Sequence, residues 1–233
     1  IDLEHEARGI LPSTDWKKRA YRKPEQQRWY AGETISLGIG QGYNSYTILQ
    51  LAQATAVLAS GGQRHRPHLV REVVDVVDGQ RRTVGREPME PVSIRPEHLA
   101  VVRQALVGVN REGTSAGAFR GAAYSSGGKT GTAQVVGIKA NEKYNAAKLA
   151  EHLRDHALFM AYAPAEDPRI AVALVVENAG FGAQAAAPIA RRVFDYWLQG
   201  VVPAPEDLAA VQLGQATAPV RPPVPVPGKG AQP

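Results

Sequence analysis

The residues most able to do chemistry are Lys129-Thr130-Gly131-Thr132, inside the run 124–134 that reads Tyr-Ser-Ser-Gly-Gly-Lys-Thr-Gly-Thr-Ala-Gln. An ammonium, two hydroxyls one residue apart and a glycine that admits a second backbone suit two chemistries. A phosphate-cradling P-loop reads Gly-x-x-x-x-Gly-Lys-Thr and opens a helix, whose backbone N–H groups and dipole meet phosphate. A Lys-Thr-Gly edge strand instead presents its ammonium and hydroxyls to a substrate in serine acyl-transfer enzymes. The P-loop fails on two counts: Ala123 stands where its first glycine belongs, and Gly131-Thr132-Ala133-Gln134-Val135-Val136 suits a strand, not a helix start. On a strand Thr130 and Thr132 share one face and Lys129 and Gly131 the other, and Gly131 lets a substrate backbone lie close. The plain alternative is a glycine-rich loop before an ordinary strand.

Other candidate groups are weaker. Residues 16–30 interleave Lys17, Lys18, Arg19, Arg22, Lys23 and Arg28 with Trp16, Tyr21, Trp29 and Tyr30. Such a pattern can bind single-stranded nucleic acid. No nucleic-acid motif accompanies it, and a solvated loop whose aromatics fold back on the core is the favoured reading, with no nucleic-acid partner. His152 and His156 are four apart, as zinc-binding pairs can be, but no third ligand and no metalloprotease glutamate follows; His65 and His68, either side of Pro67, are read the same way. No metal and no cofactor is expected.

Composition bounds the rest. The chain has 233 residues, 44% hydrophobic and 21% charged, as a globular protein of one large or two small domains has. A net charge of +5 favours acidic surfaces only weakly. With no cysteine there is neither a disulfide framework nor a thiolate metal site. No run of about 18 apolar residues is present to span a membrane. There is no signal peptide, and the first residue is Ile1, not Met, so a processed or excised chain is expected.

The elements that must position Lys129 are legible in outline. Residues 1–30 read as polar and irregular. Gly38-Ile39-Gly40-Gln41-Gly42 is a tight turn. A mostly buried helix follows over 46–60, with Ile48, Leu51, Thr55 and Leu58 on its apolar face, Thr47 as N-cap and Gly61-Gly62 as its stop. The valine-rich 69–77 and the returning 80–84 predict a hairpin around a two-residue Asp78-Gly79 turn. Pro96 opens a helix reaching about Asn110, apolar at Leu99, Val102, Leu106 and Val109. A turn-rich bridge, 113–119, leads to the lysine strand. Residues 141–155 read as a polar helix or ordered excursion. Strands over 158–163 and 169–177 form an antiparallel pair. A last helix over 185–198 is apolar at Ile189, Val193, Phe194 and Trp197. Eight of the 17 prolines fall within 203–233, which reads as a disordered or extended tail.

With these blocks in order, the chain resembles a known family. Gly40-Gln41-Gly42, Thr47, Gln50-Leu51-Ala52, Ser60-Gly61-Gly62 and Lys129-Thr130-Gly131-Thr132-Ala133 are similar to the C-terminal part of a penicillin-binding protein transpeptidase domain. Ile1-Asp2-Leu3 through Gly9-Ile10-Leu11-Pro12 fits the segment after that family's Ser-x-Asn motif, and 156–164 and 185–188 fit its later strands and last helix. The excursion at 141–155 resembles the elongation-type class B enzymes, often called penicillin-binding protein 2. The resemblance covers about 1–199; the tail, 200–233, lies outside it. It implies an α/β (α+β) fold like that of serine β-lactamases, an antiparallel sheet flanked by helices, with the N-terminal part missing.

It also implies a peptidoglycan D,D-transpeptidase acting on D-Ala–D-Ala stem peptides through an acyl-serine intermediate, which β-lactams imitate. Lys129 then supplies positive charge near the substrate carboxylate and supports proton transfer, Thr130 and Thr132 hold that carboxylate, Gly131 admits the substrate backbone, and the Thr132 N–H donates to the oxyanion. The resemblance further implies the periplasmic face of the bacterial inner membrane and a membrane glycosyltransferase partner. The family's nucleophile motif is not met: the one Ser-x-x-Lys match, Ser126-Gly127-Gly128-Lys129, enters a strand instead of opening a helix. The nucleophile is therefore expected on missing sequence, and the chain alone is expected to be inactive. Two other classes compete: a non-catalytic peptide- or partner-binding module, and a P-loop-like nucleotide binder with Glu177 as its acidic strand residue.

Overall fold

The computed structural model describes residues 1–2, 4–137, 144–212 and 221–228. In chain order the elements are α1 (Thr14–Ala20), α2 (Pro24–Gln27), α3 (Ala31–Gly38), α4 (Ile48–Ala59), β1 (Arg64–His65), β2 (Glu72–Val74), β3 (Arg81–Thr83), β4 (Pro88–Met89), α5 (Pro96–Arg111), α6 (Ala116–Phe119), β5 (Gly127–Ala133), β6 (His156–Ala163), β7 (Ile170–Val176), α7 (Gly182–Ala185), α8 (Ala187–Phe194), β8 (Val201–Val202), α9 (Pro205–Gln212) and β9 (Val224–Pro225). They divide into two compact units: Ile1–Leu51 with Pro67–Gly85, and Ala52–Arg66 with Arg86–Pro233. Among the described residues no helix is long and apolar enough to cross a membrane.

The first unit is more regular than its sequence suggests. Ser13 caps α1 by accepting from the Trp16 N–H at 3.0 Å, the kind of bond worth about 0.5–2 kcal/mol to a helix end. The basic–aromatic stretch closes on itself: Lys17, only 3% exposed, donates to the Arg28 carbonyl at 2.7 Å and pairs with Glu33. Its ammonium lies 5.2 Å from the Tyr30 ring centre and 5.4 Å from that of Tyr43. Burial alone would push the Lys17 pKa down; its bonds to Glu33 and Tyr43 outweigh that and raise it. This is the fold-back reading of these aromatics. The hairpin departs from expectation. β2 and β3 pair in register Val74↔Arg81, and Asp75 N–H to Gln80 C=O (2.8 Å) closes a four-residue loop. The Asp75 and Asp78 carboxylates cap the Val77 and Gln80 N–H groups at 2.8 and 2.9 Å, which stabilises the longer loop.

In α4 the expected start holds: the Gln50 N–H donates to Thr47 Oγ1 at 3.1 Å, and Gly61 and Gly62 stop the helix at φ +78° and +103°. It is less buried than its small side chains suggest, with Thr55 and Ala59 its fully buried residues.

The second unit is built on a three-stranded antiparallel sheet in the order β5-β6-β7. β6 is its centre. Phe159, Ala157, Ala161 and Ala163 turn to one face and pack with Phe119 of α6 and with Ala187, Ala190 and Phe194 of α8. Tyr162 turns to the other and packs with Leu106 of α5 and Ala59 of α4. The alanines admit close helix approach, while Phe119 stacks on Phe159 at 5.9 Å and packs against Phe194 at 6.3 Å. Helix α5 has the expected bounds, but its buried stripe is rotated. Asn110 joins Leu106 inside, while Val102 stays 43% exposed.

The other departures have local causes. The bridge at 113–119 contains α6. The described part of the 141–155 excursion holds two short 3-10 turns, Ala146–Lys148 and Glu151–Leu153; residues 141–143 lie outside the described residues. The last helix is broken at Ala186 into α7 and α8 and continues as a π-helical turn, Asp195–Gln199. Its buried face carries Ala187, Ala190, Arg191 and Phe194, so Ile189 and Trp197 are exposed. Part of the tail is ordered: β8 pairs with β9, and Asp207 accepts from the Arg221 guanidinium at 2.7 Å and from its N–H at 2.8 Å, fixing α9 to the returning chain.

Candidate functional site

Lys129 lies in the middle of β5, an edge strand that pairs with β6 in the register Gly127↔Tyr162 through Ala133↔His156. The strand reading is therefore correct and the P-loop reading is not favoured, since β5 runs through the lysine and no helix opens in the described residues 134–137 that follow it. Gly127 and Gly128 belong to the strand and not to a preceding loop, for a steric reason. A Cβ on Gly127 would stand 2.7 Å from the Tyr162 ring, and one on Gly128 would stand 2.7 Å from Phe159 Cζ. Two aromatics of β6 lie against the start of β5, one on each face, and only glycine leaves them room.

The alternation along β5 sorts the candidates. Lys129 and Gly131 face one way, Thr130 and Thr132 the other. The Lys129 ammonium is exposed and donates to the carbonyl of Thr130 at 2.7 Å. The peptide N–H and C=O of a strand residue point to one side and reverse at each step. The Thr132 N–H thus lies on the same side of the strand as the Thr130 carbonyl held by Lys129. The Thr130 hydroxyl is 3.2 Å from that of Thr114, in the turn after α5. The four residues singled out from sequence therefore share one edge strand, with Lys129 exposed and Thr130, Gly131 and Thr132 half-buried.

Ser126 is elsewhere. It is 6% exposed, and its Oγ accepts from Asn110 Nδ2 at 2.9 Å. A lysine three residues on along a strand faces the opposite way, so Lys129 cannot activate it. A cavity of about 350 Å³ lies beside Ser126, lined by Val107, Asn110, Phe119, Tyr124 and Ser125 among others; none of Lys129 to Thr132 lines it.

The chain leading into β5 is tied down residue by residue, which the sequence did not foretell. The Tyr124 hydroxyl donates to Asp195 Oδ1 at 2.8 Å, and Asp195 also takes both its oxygens to Arg191 Nε at 2.7 and 2.8 Å. Arg191 in turn donates to the Arg120 carbonyl at 3.1 Å. Burial first, and then the Asp195 charge, push the Tyr124 phenol well above its ordinary value. Ser125 donates to Glu166, which holds that carboxyl below the usual range, and its Oγ accepts from the Ala165 N–H at 3.1 Å. His156 Nδ1 accepts from the Asn178 N–H at 2.9 Å, and the His68 ring is bonded to the Val70 carbonyl at 2.8 Å. Among the described residues no cluster of His, Cys, Asp and Glu could hold a metal ion.

Residues 2–195 match the family described as penicillin binding protein transpeptidase domain. The chain belongs to that family. It is 39% identical over 208 residues to the peptidoglycan D,D-transpeptidase MrdA of Haemophilus influenzae, covering 87% of this chain and 31% of that protein. Among solved structures, Pseudomonas aeruginosa PBP2 in complex with WCK 5153 is 40% identical, with a TM-score of 0.66 over 85% of this chain and 40% of the other. Helicobacter pylori PBP2 in complex with MreC is 28% identical, with a TM-score of 0.57 over 76% of this chain and 29% of the other. The chain thus spans about a third of the length of the curated relatives it matches. The match includes the transpeptidase fold, an antiparallel sheet flanked by helices, and corresponds to the C-terminal part of the domain in PBP2 and MrdA.

Proposed function

We propose that this chain supplies the substrate-recognising strand of a peptidoglycan D,D-transpeptidase, which exchanges D-Ala–D-Ala ends through an acyl-serine intermediate and is acylated by β-lactams. The observation that carries the reading is the placement of Lys129 to Thr132 on the edge strand β5. In this role the Lys129 ammonium leaves the Thr130 carbonyl to meet the substrate carboxylate and to support proton transfer through a neighbouring hydroxyl. Thr130 and Thr132 hold the carboxylate by charge-assisted bonds. Gly131 lets the substrate backbone lie along the strand, where it adds as a further strand. The Thr132 N–H donates to the oxyanion, a contact whose loss costs about 2.7–4 kcal/mol of transition-state stabilisation in comparable sites. The attacking serine lies outside these residues, so the chain alone binds but does not turn over. Residues 1–199 make up the transpeptidase portion and 200–233 a Pro-rich extension. The whole protein acts at the periplasmic face of the inner membrane beside a membrane glycosyltransferase.

The test is labelling of the full-length protein with a fluorescent penicillin, followed by mass mapping of the modified peptide. The expected adduct is on a serine outside this chain, and Lys129→Ala slows its formation by about a hundredfold or more. An adduct on Ser126, or an unchanged rate in Lys129→Ala, would overturn the assignment.

A further inference from the structure

We propose that Asn110 is a positioning residue for the catalytic strand: through Ser126 it sets where β5 presents Lys129 and Thr132. This inference rests on the transpeptidase reading above. Asn110 is the penultimate residue of helix α5 and is 5% exposed, yet it is polar. Its amide is satisfied at both ends. The Ser115 hydroxyl donates to Oδ1 at 2.8 Å, and Nδ2 donates to Ser126 Oγ at 2.9 Å. Its Oδ1 also stands 3.0 Å from where a Gly128 Cβ would be, so the amide backs directly onto the strand.

The pattern of contacts gives the reason. Ser126, Gly128 and Thr130 are alternate residues, so they share one face. Asn110 meets the first two, and Thr114, four residues on, meets the third through the 3.2 Å hydroxyl pair. The segment 110–115 therefore lines one face of the strand on both sides of Lys129 and leaves Lys129 and Gly131 on the other. β5 needs such a device. It is an edge strand held by β6 on one side, and its first two residues are glycines with no side chains of their own to pack. Apolar packing is non-directional, whereas a buried hydrogen-bonded chain is satisfied in one register only. A small displacement here moves the ammonium and the oxyanion donor together.

The experiment measures the limiting acylation rate at saturating penicillin, per titrated active site, in the full-length protein and in Asn110→Leu, Ser126→Ala and the double variant, with melting curves in parallel. Asn110→Leu is expected to lower that rate by about tenfold to a hundredfold, the scale of a misplacement of about 1 Å. The number of titratable sites should stay near wild type. Because both residues act through one bond, the double variant should lose little beyond the larger single loss. Should Asn110→Leu fail to fold, Ser126→Ala alone decides, with a rate loss but an adduct still formed. A lowered melting point with an unchanged per-site rate would make the network structural only and overturn the inference, as would multiplicative losses. A wild-type protein that takes no penicillin would instead overturn the transpeptidase reading from which the inference starts.

Discussion

Gly182→Ala tests whether the strand that carries Lys129 is held by backbone-to-backbone contact. Gly182 opens α7 and is buried. A Cβ there would stand 2.1 Å from the Leu158 carbonyl oxygen of β6 and 2.9 Å from the Gly131 carbonyl oxygen of β5. Neither obstacle is the end of a flexible side chain. Each is main chain of the sheet that carries Lys129, so relief requires α7 to lift or both strands to shift. Forcing a methyl into such a place costs about 1–3 kcal/mol, which in a domain of this size lowers the melting point by roughly 2–4 °C per kcal/mol. The assay is a melting curve of the intact protein beside its penicillin acylation rate. Both should fall, since Gly131 lies between the two threonines of the site. Gly117→Ala in α6 is the control: beyond its chain neighbours and the backbone of its own helix, no heavy atom lies within 4 Å of its added Cβ, and loss of chain entropy in the unfolded state should stabilise by about 0.4–1 kcal/mol. A Gly182→Ala protein that melts and acylates like wild type would refute the claim that α7 abuts the strand backbone.

Three further outcomes follow from the bonds around 124–126. Tyr124 is protonated more tightly in the fold than in the unfolded chain. The stability it contributes is full below the ordinary phenol value near pH 10 and is lost as pH rises above it. The melting point of wild type should therefore fall more steeply between about pH 9 and 11 than that of Tyr124→Phe; parallel curves would remove Tyr124 as the cause. Asp195→Ala leaves the buried Arg191 guanidinium without its carboxylate and should destabilise by about 3–5 kcal/mol, whereas replacing both by apolar residues of similar size should cost far less, as thermal unfolding of the three proteins would show. Ser125→Ala should raise the Glu166 pKa towards the ordinary carboxylate value, read by NMR titration. Because that pKa is depressed in the fold, its share of stability is present above the ordinary value and lost as pH falls.

Local pattern was enough for much of the site. Thr and Gly in alternation about Lys129 placed it on a strand, and the bounds of α5, the antiparallel pairing of β6 with β7 and the Thr47 cap of α4 follow from signals within a few residues. What periodicity missed was which side of each helix turned inward. Leu99, Val102, Leu106 and Val109 make a regular apolar stripe on α5, yet a buried amide at Asn110 was chosen over Val102 because β5 offers Ser126 and bare glycines at that point. In the last helix Arg191 displaced Ile189 and Trp197 from the inner face, because Asp195, Tyr124 and the Arg120 carbonyl satisfy its charge there.

The sequence by itself determined that an ammonium and two hydroxyls stand on an extended strand, because side-chain alternation is a property of the strand alone. Only the tertiary structure decided that Ser126 is an anchor with its hydroxyl turned inward, and that residues 110–115 hold this strand from one face. Those facts depend on partners up to tens of residues away, Tyr162 and Phe159 on β6 and Asn110 on α5, whose meeting no local pattern encodes.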